Sequence, residues 1–238
     1  MIALLRYQAA ILLRSHRWIF PLIAYVLLIA VGAAGSTSLA ETLDWSGAML
    51  VPVVAFLTRG MLTAEPDAAR ACVSAAAGPA RAQLAALIVP LGAGAALGIA
   101  ATVFDVLTAE AASRTPAPGL PGKVTAAAGH PGIVLAGLFI ALVCLLVGSA
   151  VGALCNPPLL RHPAAAMLST LAVTIVALAA GVSPANAAIS HTTASAAGPL
   201  AANWPGAGAV LGAACLLAVT WGISVIAGTR RDTWSASS

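Results

Sequence analysis

Six apolar runs, each close to the length of a bilayer crossing, dominate the 238-residue sequence. A helix rises 1.5 Å per residue, so about 30 Å of hydrocarbon takes roughly 20 apolar residues to cross. The runs occupy 18–34, 45–62, 82–104, 132–154, 164–182 and 206–227. Asp, Glu, Lys and Arg together make up only 8% of the chain, against about 25% in a soluble domain. With 61% hydrophobic residues, a soluble fold cannot cover its own surface. The expectation is an all-α integral membrane protein with six transmembrane helices, because a helix satisfies its own backbone in lipid. The second run is the least regular: Pro52 interrupts it and Arg59 sits near its end. A proline is tolerated there when neighbouring groups satisfy the freed carbonyl.

An even number of spans puts both termini on one side. That side holds nine basic residues, Arg6, Arg14, Arg17, Arg59, Arg70, Arg81, Arg161, Arg230 and Arg231, and the other only Arg114 and Lys123. The bias places both termini, with a short tail at 229–238, in the cytoplasm of a cell whose plasma membrane the chain crosses repeatedly. The opposite loops carry Glu41, Asp44, Asp105 and Glu110 instead, and Trp18, Trp45 and Trp204 fall at span ends, where interfacial tryptophans belong. The basic residues are scattered rather than clustered, which argues against nucleic acid as a partner despite the net charge of +4. No small-residue cleavage site follows Arg6, Arg14 and Arg17 before a full-length span, so a cleavable signal is not expected.

Segment 1–17 is a different object. Leu4, Leu5, Ile11 and Leu12 recur at helical spacing among the three arginines, the pattern of an amphipathic helix lying in the cytoplasmic interface. The outer segments 105–131 and 183–205 are rich in small residues and lack the apolar content of a domain. The inner segment CNPPLLRHP at 155–163 is short and stiffened by proline.

Catalytic chemistry is not visible. No ionisable residue falls in the middle of a run, and no HExxH, GxSxG or paired intramembrane aspartates occur. His16, His130, His162 and His191 fall at span ends or in loops and read as solvated. Cys72, Cys144, Cys155 and Cys215 have no metal-site spacing and read as buried small hydrophobes. GLPGKV at 119–124 fails the phosphate-loop pattern twice: Ala117 replaces its first glycine and Val124 follows the lysine. The chain is therefore not expected to be an enzyme or to hold a cofactor or metal, and ATP with its Mg would belong to a separate chain. Three GxxxG matches, Gly94–Gly98, Gly148–Gly152 and Gly208–Gly212, are candidate faces of close helix packing, within the chain first and at a dimer seam second.

Between the second and third runs lies LTAEPDAARACVSAAAGPARAQ. Thr63 can cap a helix, Pro66 suits its first turn, and Glu65 and Asp67 put negative charge at its positive end. Gly78 and Pro79 stop it. The predicted helix, 66–77, is about 18 Å long and lies on the cytoplasmic side. A reversal of direction needs far fewer residues, so the segment suits docking of a soluble protein that pushes on the spans.

RYQAAILLRSHRWIFPLIAY at 6–25 and LTRGMLTAEPDAARACVSAAAGPARAQLAAL at 57–87, with six runs around them, resemble the membrane (permease) subunit of type-2 ABC exporters, especially small actinobacterial permeases. The resemblance implies that 1–17 is an interfacial elbow helix and 66–77 a coupling helix seated in a groove of an ABC ATPase subunit. It makes Glu65, Asp67, Arg70 and Val73 candidates for ATPase docking, although Arg70 is equally explained by the positive-inside rule. It implies a second permease chain, identical or different, and export of a hydrophobic or amphipathic drug, antibiotic, lipid or peptide. Many such permeases carry a re-entrant hairpin between the fifth and sixth spans; 183–205 is too polar to place one. The other reading is a non-transporting membrane anchor or assembly subunit. An intramembrane enzyme is a third, disfavoured by the absent polar residues.

Overall fold

The computed structural model describes residues 1–35, 39–114, 131–155, 163–180, 183–195 and 207–235. Among them every regular element is an α-helix: α1 Ile2–Arg14, α2 Ile19–Gly35, α3 Leu39–Leu62, α4 Asp67–Ala77, α5 Pro79–Arg114, α6 Pro131–Leu154, α7 Pro163–Ala179, α8 Pro184–Ser195 and α9 Ala207–Ser235. Four of these helices begin on a proline. The first helical position suits it, because the ring pre-sets φ and the missing N–H has no partner there anyway. At α8 the start is reinforced, since the Ser183 hydroxyl accepts the Ala185 N–H at 3.3 Å, as an N-cap does.

Among the described residues, three helical segments are long and apolar enough to cross a bilayer: Leu39–Leu62, Pro79–Thr108 and Gly132–Leu154. The pair α1–α2, bent by 73° at its break, makes a fourth when taken as one broken span. The apolar stretches Ala166–Ala179 of α7 and Gly208–Ile223 of α9 are shorter. Hydroxyls in this apolar setting bond back to their own helix: Thr102 to the Gly98 carbonyl (2.9 Å), Ser149 to Leu145 (2.7 Å) and Thr174 to Thr170 (2.7 Å). A side chain with no water nearby has few other acceptors.

The core is the α3–α6 pair, with α5 packed on both and α2, α7, α8 and α9 around it. Its packing is written in glycine. Leu43 fills the space at Gly137 and Ile140 the space at Gly47. Further along, an added Cβ on Gly148 would lie 2.6 Å from the Val51 carbonyl oxygen, and one on Gly152 2.5 Å from that of Ala55. These contacts advance together along both helices, so α3 and α6 run parallel. Gly94 of α5 receives Leu145 and Val54, and Gly98 lies under Leu50 and Ala141. Two of the three GxxxG matches are thus intramolecular seams. At the third, among the described residues, Gly208 meets nothing within 4 Å and Gly212 touches only Pro184, at 3.8 Å.

Several sequence expectations are corrected. The second helix starts at Leu39 rather than 45, and the third runs from Pro79 to Arg114 rather than 82–104. Glu41, Asp44, Asp105 and Glu110, expected in loops, therefore lie on helices, and Asp44 and Asp105 are buried. Thirty-six residues make α5 about 54 Å long, longer than the hydrocarbon layer. Residues 229–235, expected as part of a tail, continue α9. Within 183–205, where no hairpin was placed, α8 forms and packs against α3, α6, α7 and α9. Ala185 and Ala188 are fully buried there, and the Asn186 amide donates to the Leu178 carbonyl at the end of α7 (2.9 Å). His191 lies on this helix rather than in a loop. Cys144 and Cys155 are buried as expected, but Cys72 and Cys215 are exposed. His130, His162, Arg161, Lys123 and most of the segments containing them lie outside the described residues.

Candidate functional site

The bundle has two polar ends. At one, α3 hands over to α4. The last turn of α3 leaves carbonyls unsatisfied, and two side chains take them. The Thr63 hydroxyl donates to the Arg59 and Gly60 carbonyls at 3.0 and 3.3 Å, and the Arg70 guanidinium reaches back to the Leu62 carbonyl. Thr63 therefore closes α3 rather than capping α4. The residue preceding α4 is Pro66, in extended conformation and with no side-chain cap. At the other end of α4, Gly78 adopts φ 84° and ψ 144°, a region essentially reserved for glycine. It is the single residue between α4 and α5, which begins on Pro79.

Residues of α4 sort cleanly by face. Ala69, Arg70, Val73, Ser74 and Ala77 are half-buried, while Ala68, Ala71, Cys72, Ala75 and Ala76 are exposed. The positions alternate at three- and four-residue intervals, as one face of a helix must. Of the four docking candidates, Arg70 is turned inward onto α3 and Val73 is half-buried with it. Glu65 precedes the helix and its Oε2 accepts from the Gln8 amide of α1 at 3.5 Å. Asp67 is the first residue of α4. The exposed face is the one made of alanines and Cys72, which the sequence reading, with Glu65, Asp67, Arg70 and Val73, did not name.

At the opposite end, α2, α3 and α5 enclose a polar cluster that sequence reasoning missed. The Ser46 hydroxyl lies 2.7 Å from Asp105 Oδ2 and 3.2 Å from the Leu43 carbonyl. The Tyr25 hydroxyl donates to the Ser46 carbonyl at 3.1 Å. Asp105 is 1% exposed and its Oδ1 has no hydrogen-bond partner among the described residues. Beside the cluster, the Trp45 indole lies across Gly32 and donates to the Leu28 carbonyl of α2 (2.8 Å). The signal was present in Asp44, Trp45 and Ser46, a polar triplet one turn inside an apolar helix. Hydropathy alone ended the span at the charge.

Among the described residues no three His, Cys, Asp or Glu side chains come together as a metal site. Arg59 is buried in the last turn of α3, so the central helix carries a buried acid, Asp44, near its start and a buried base near its end. Compared with known protein families, characterised proteins and solved structures, the chain matches none.

Proposed function

We propose that the chain is the membrane subunit of an ABC exporter, crossing the plasma membrane six times with both termini cytoplasmic. It pairs with a second permease chain and with ATPase subunits that bind the ATP and Mg. The single observation that carries this reading is α4: an 11-residue helix between two membrane-length helices, at the end of the bundle that the basic residues mark as cytoplasmic. Its attachments suit a transmitter. One residue, Gly78, joins it to α5, and Arg70 ties it to the end of α3. A displacement of α4 therefore reaches α3 and α5 directly and α6 through the glycine seam. ATP-driven closure of the ATPase pair would shift these helices between two arrangements and alternate access to the two sides.

Docking falls to the exposed face of Ala68, Ala71, Cys72, Ala75 and Ala76, with Asp67 at its head. A face of small side chains lets another backbone come close. The cargo is hydrophobic or amphipathic, since the buried ionisable residues Asp44, Arg59 and Asp105 lie toward the helix ends and the middle of the core is apolar. The reading is tested by reconstituting the chain in liposomes with an ABC ATPase subunit. It predicts ATP hydrolysis stimulated by an amphipathic dye, and dye flux that stops with non-hydrolysable nucleotide. An ATPase that binds without any ATP-dependent flux would favour the anchor reading instead.

A further inference from the structure

The α1 helix has one buried polar residue, and its position is informative. Leu4, Leu5, Gln8, Ile11 and Leu12 form the side that faces the protein, and Gln8, at its centre, is 1% exposed. Gln8 donates to Glu65 of the α3–α4 connection. A second link runs beside it, from Arg17 Nη1 to the Thr63 carbonyl at 3.5 Å. Two contacts thus join the α1 region to the four residues that separate α3 from α4. Glu65 Oε1 is buried, and the Tyr7 side chain of α1 also hydrogen-bonds the Glu65 carboxylate.

The opposite side of α1 is chemically distinct. Ile2, Arg6, Leu13 and Arg14 are all exposed, and the first three fall within about 40° of one another at 100° per residue. No Asp or Glu occurs before Glu41, so this face is cationic without internal compensation. Exposed Ile2 and Leu13 interleaved with arginines suit a layer apolar below and negatively charged above. The 73° bend at His16 turns α1 away from the axis of α2, so that α1 can lie flat where α2 enters.

We propose that α1 seats on an anionic lipid surface through Ile2, Arg6, Leu13 and Arg14, and that the Gln8 and Tyr7 contacts to Glu65 carry this seating to the α3–α4 connection. Lipid charge then sets how firmly α4 is held. The inference does not depend on the exporter reading, because it concerns only how lipid composition reaches α4. It contributes a partner of stated chemistry, the phosphate-bearing headgroup layer, and a route from it.

The test is hydrogen–deuterium exchange of the full chain in nanodiscs of phosphatidylcholine alone and of phosphatidylcholine with phosphatidylglycerol. Exchange in α1 and in 63–70 is expected to slow several-fold in the anionic discs. Arg6→Gln/Arg14→Gln should abolish the difference in both regions. Gln8→Met/Tyr7→Phe, which keeps the packing volume, should preserve the lipid response of α1 and reduce that of 63–70 to what the Arg17–Thr63 contact alone carries. Equal exchange of the wild type in both lipids would overturn the proposal. So would a response at α1 that survives loss of both arginines, or one that never reaches 63–70. Protection of α1 that appears in phosphatidylcholine only on adding an ATPase would make this face a protein interface and likewise refute it.

Discussion

At the scale of single residues, the glycine seam and the buried serine–aspartate contact each make a sharp claim. Gly148→Ala must push a methyl group into the Val51 carbonyl, and Gly152→Ala into that of Ala55. Neither obstacle is a side chain that can swing away. Each substitution should cost about 1–3 kcal/mol, read as earlier unfolding in a detergent titration, while Gly208→Ala, with open space around it, should unfold with the wild type. If all three behave alike, the α3–α6 packing described above is wrong. Ser46 and Asp105 make the second claim. Removing the hydroxyl leaves a buried carboxylate without its donor, costing about 1–3 kcal/mol, whereas replacing both partners removes the conflict. A cycle of Ser46→Ala, Asp105→Leu and the double variant should show coupling of about 0.5–3 kcal/mol. Strict additivity would mean that the 2.7 Å contact contributes nothing.

At the scale of elements, the turning points are set by backbone conformation. His16 has φ 52°, left-handed and costly for a residue with a Cβ. Its ring Nδ1 lies 2.9 Å from the Arg14 carbonyl, a local bond that helps hold the bend. Gly78 lies still further from ordinary space, and no atom lies within 4 Å of where its Cβ would be. Gly78→Ala therefore meets no clash, and its cost of about 1–3 kcal/mol is purely conformational. Thermal unfolding should show that loss, and His16→Gly should show none. Elements with strong local punctuation were legible in sequence: α4 was bracketed by Pro66 and Gly78–Pro79, and its span matched to one residue. The starts of α3 and ends of α5 were not, because a charge inside an apolar run looks like a loop until its partner on another helix is known. The Asp105 carboxylate is tolerable only beside Ser46, 59 positions away. The α8 helix was illegible for a different reason. PANAAISHTTAS is mostly small and polar, with no apolar period, and only packing against α3, α6, α7 and α9 decides its state.

At the scale of the whole molecule, direction matters most. Ser46 meets Asp105 at one end of α3, while Leu62 packs with Ala86 and Leu87 at the other, so α3 and α5 are antiparallel and α6 returns parallel to α3. α4, which follows the end of α3, and Arg114, the last residue of α5, therefore lie at opposite ends of the bundle. With Cys72 kept and the other cysteines changed to alanine or serine, a membrane-impermeant maleimide should label inverted vesicles and leave intact cells unlabelled. Equal labelling of both would break the alternation. The resemblance to ABC permeases rested on diffuse patterns at 6–25 and 57–87, and the docking residues it suggested were Glu65, Asp67, Arg70 and Val73. Within the chain, Glu65 accepts from Gln8 of α1 and Arg70 donates to the Leu62 carbonyl of α3. The deciding measurement is co-purification of a candidate ABC ATPase subunit in nanodiscs, comparing wild type with Ala71→Glu/Ala75→Glu on the exposed face of α4. Retention by the wild type and loss by an otherwise folded variant is the predicted result. Full retention by the variant, or no ATPase on the wild type, would contradict α4 as the docking helix.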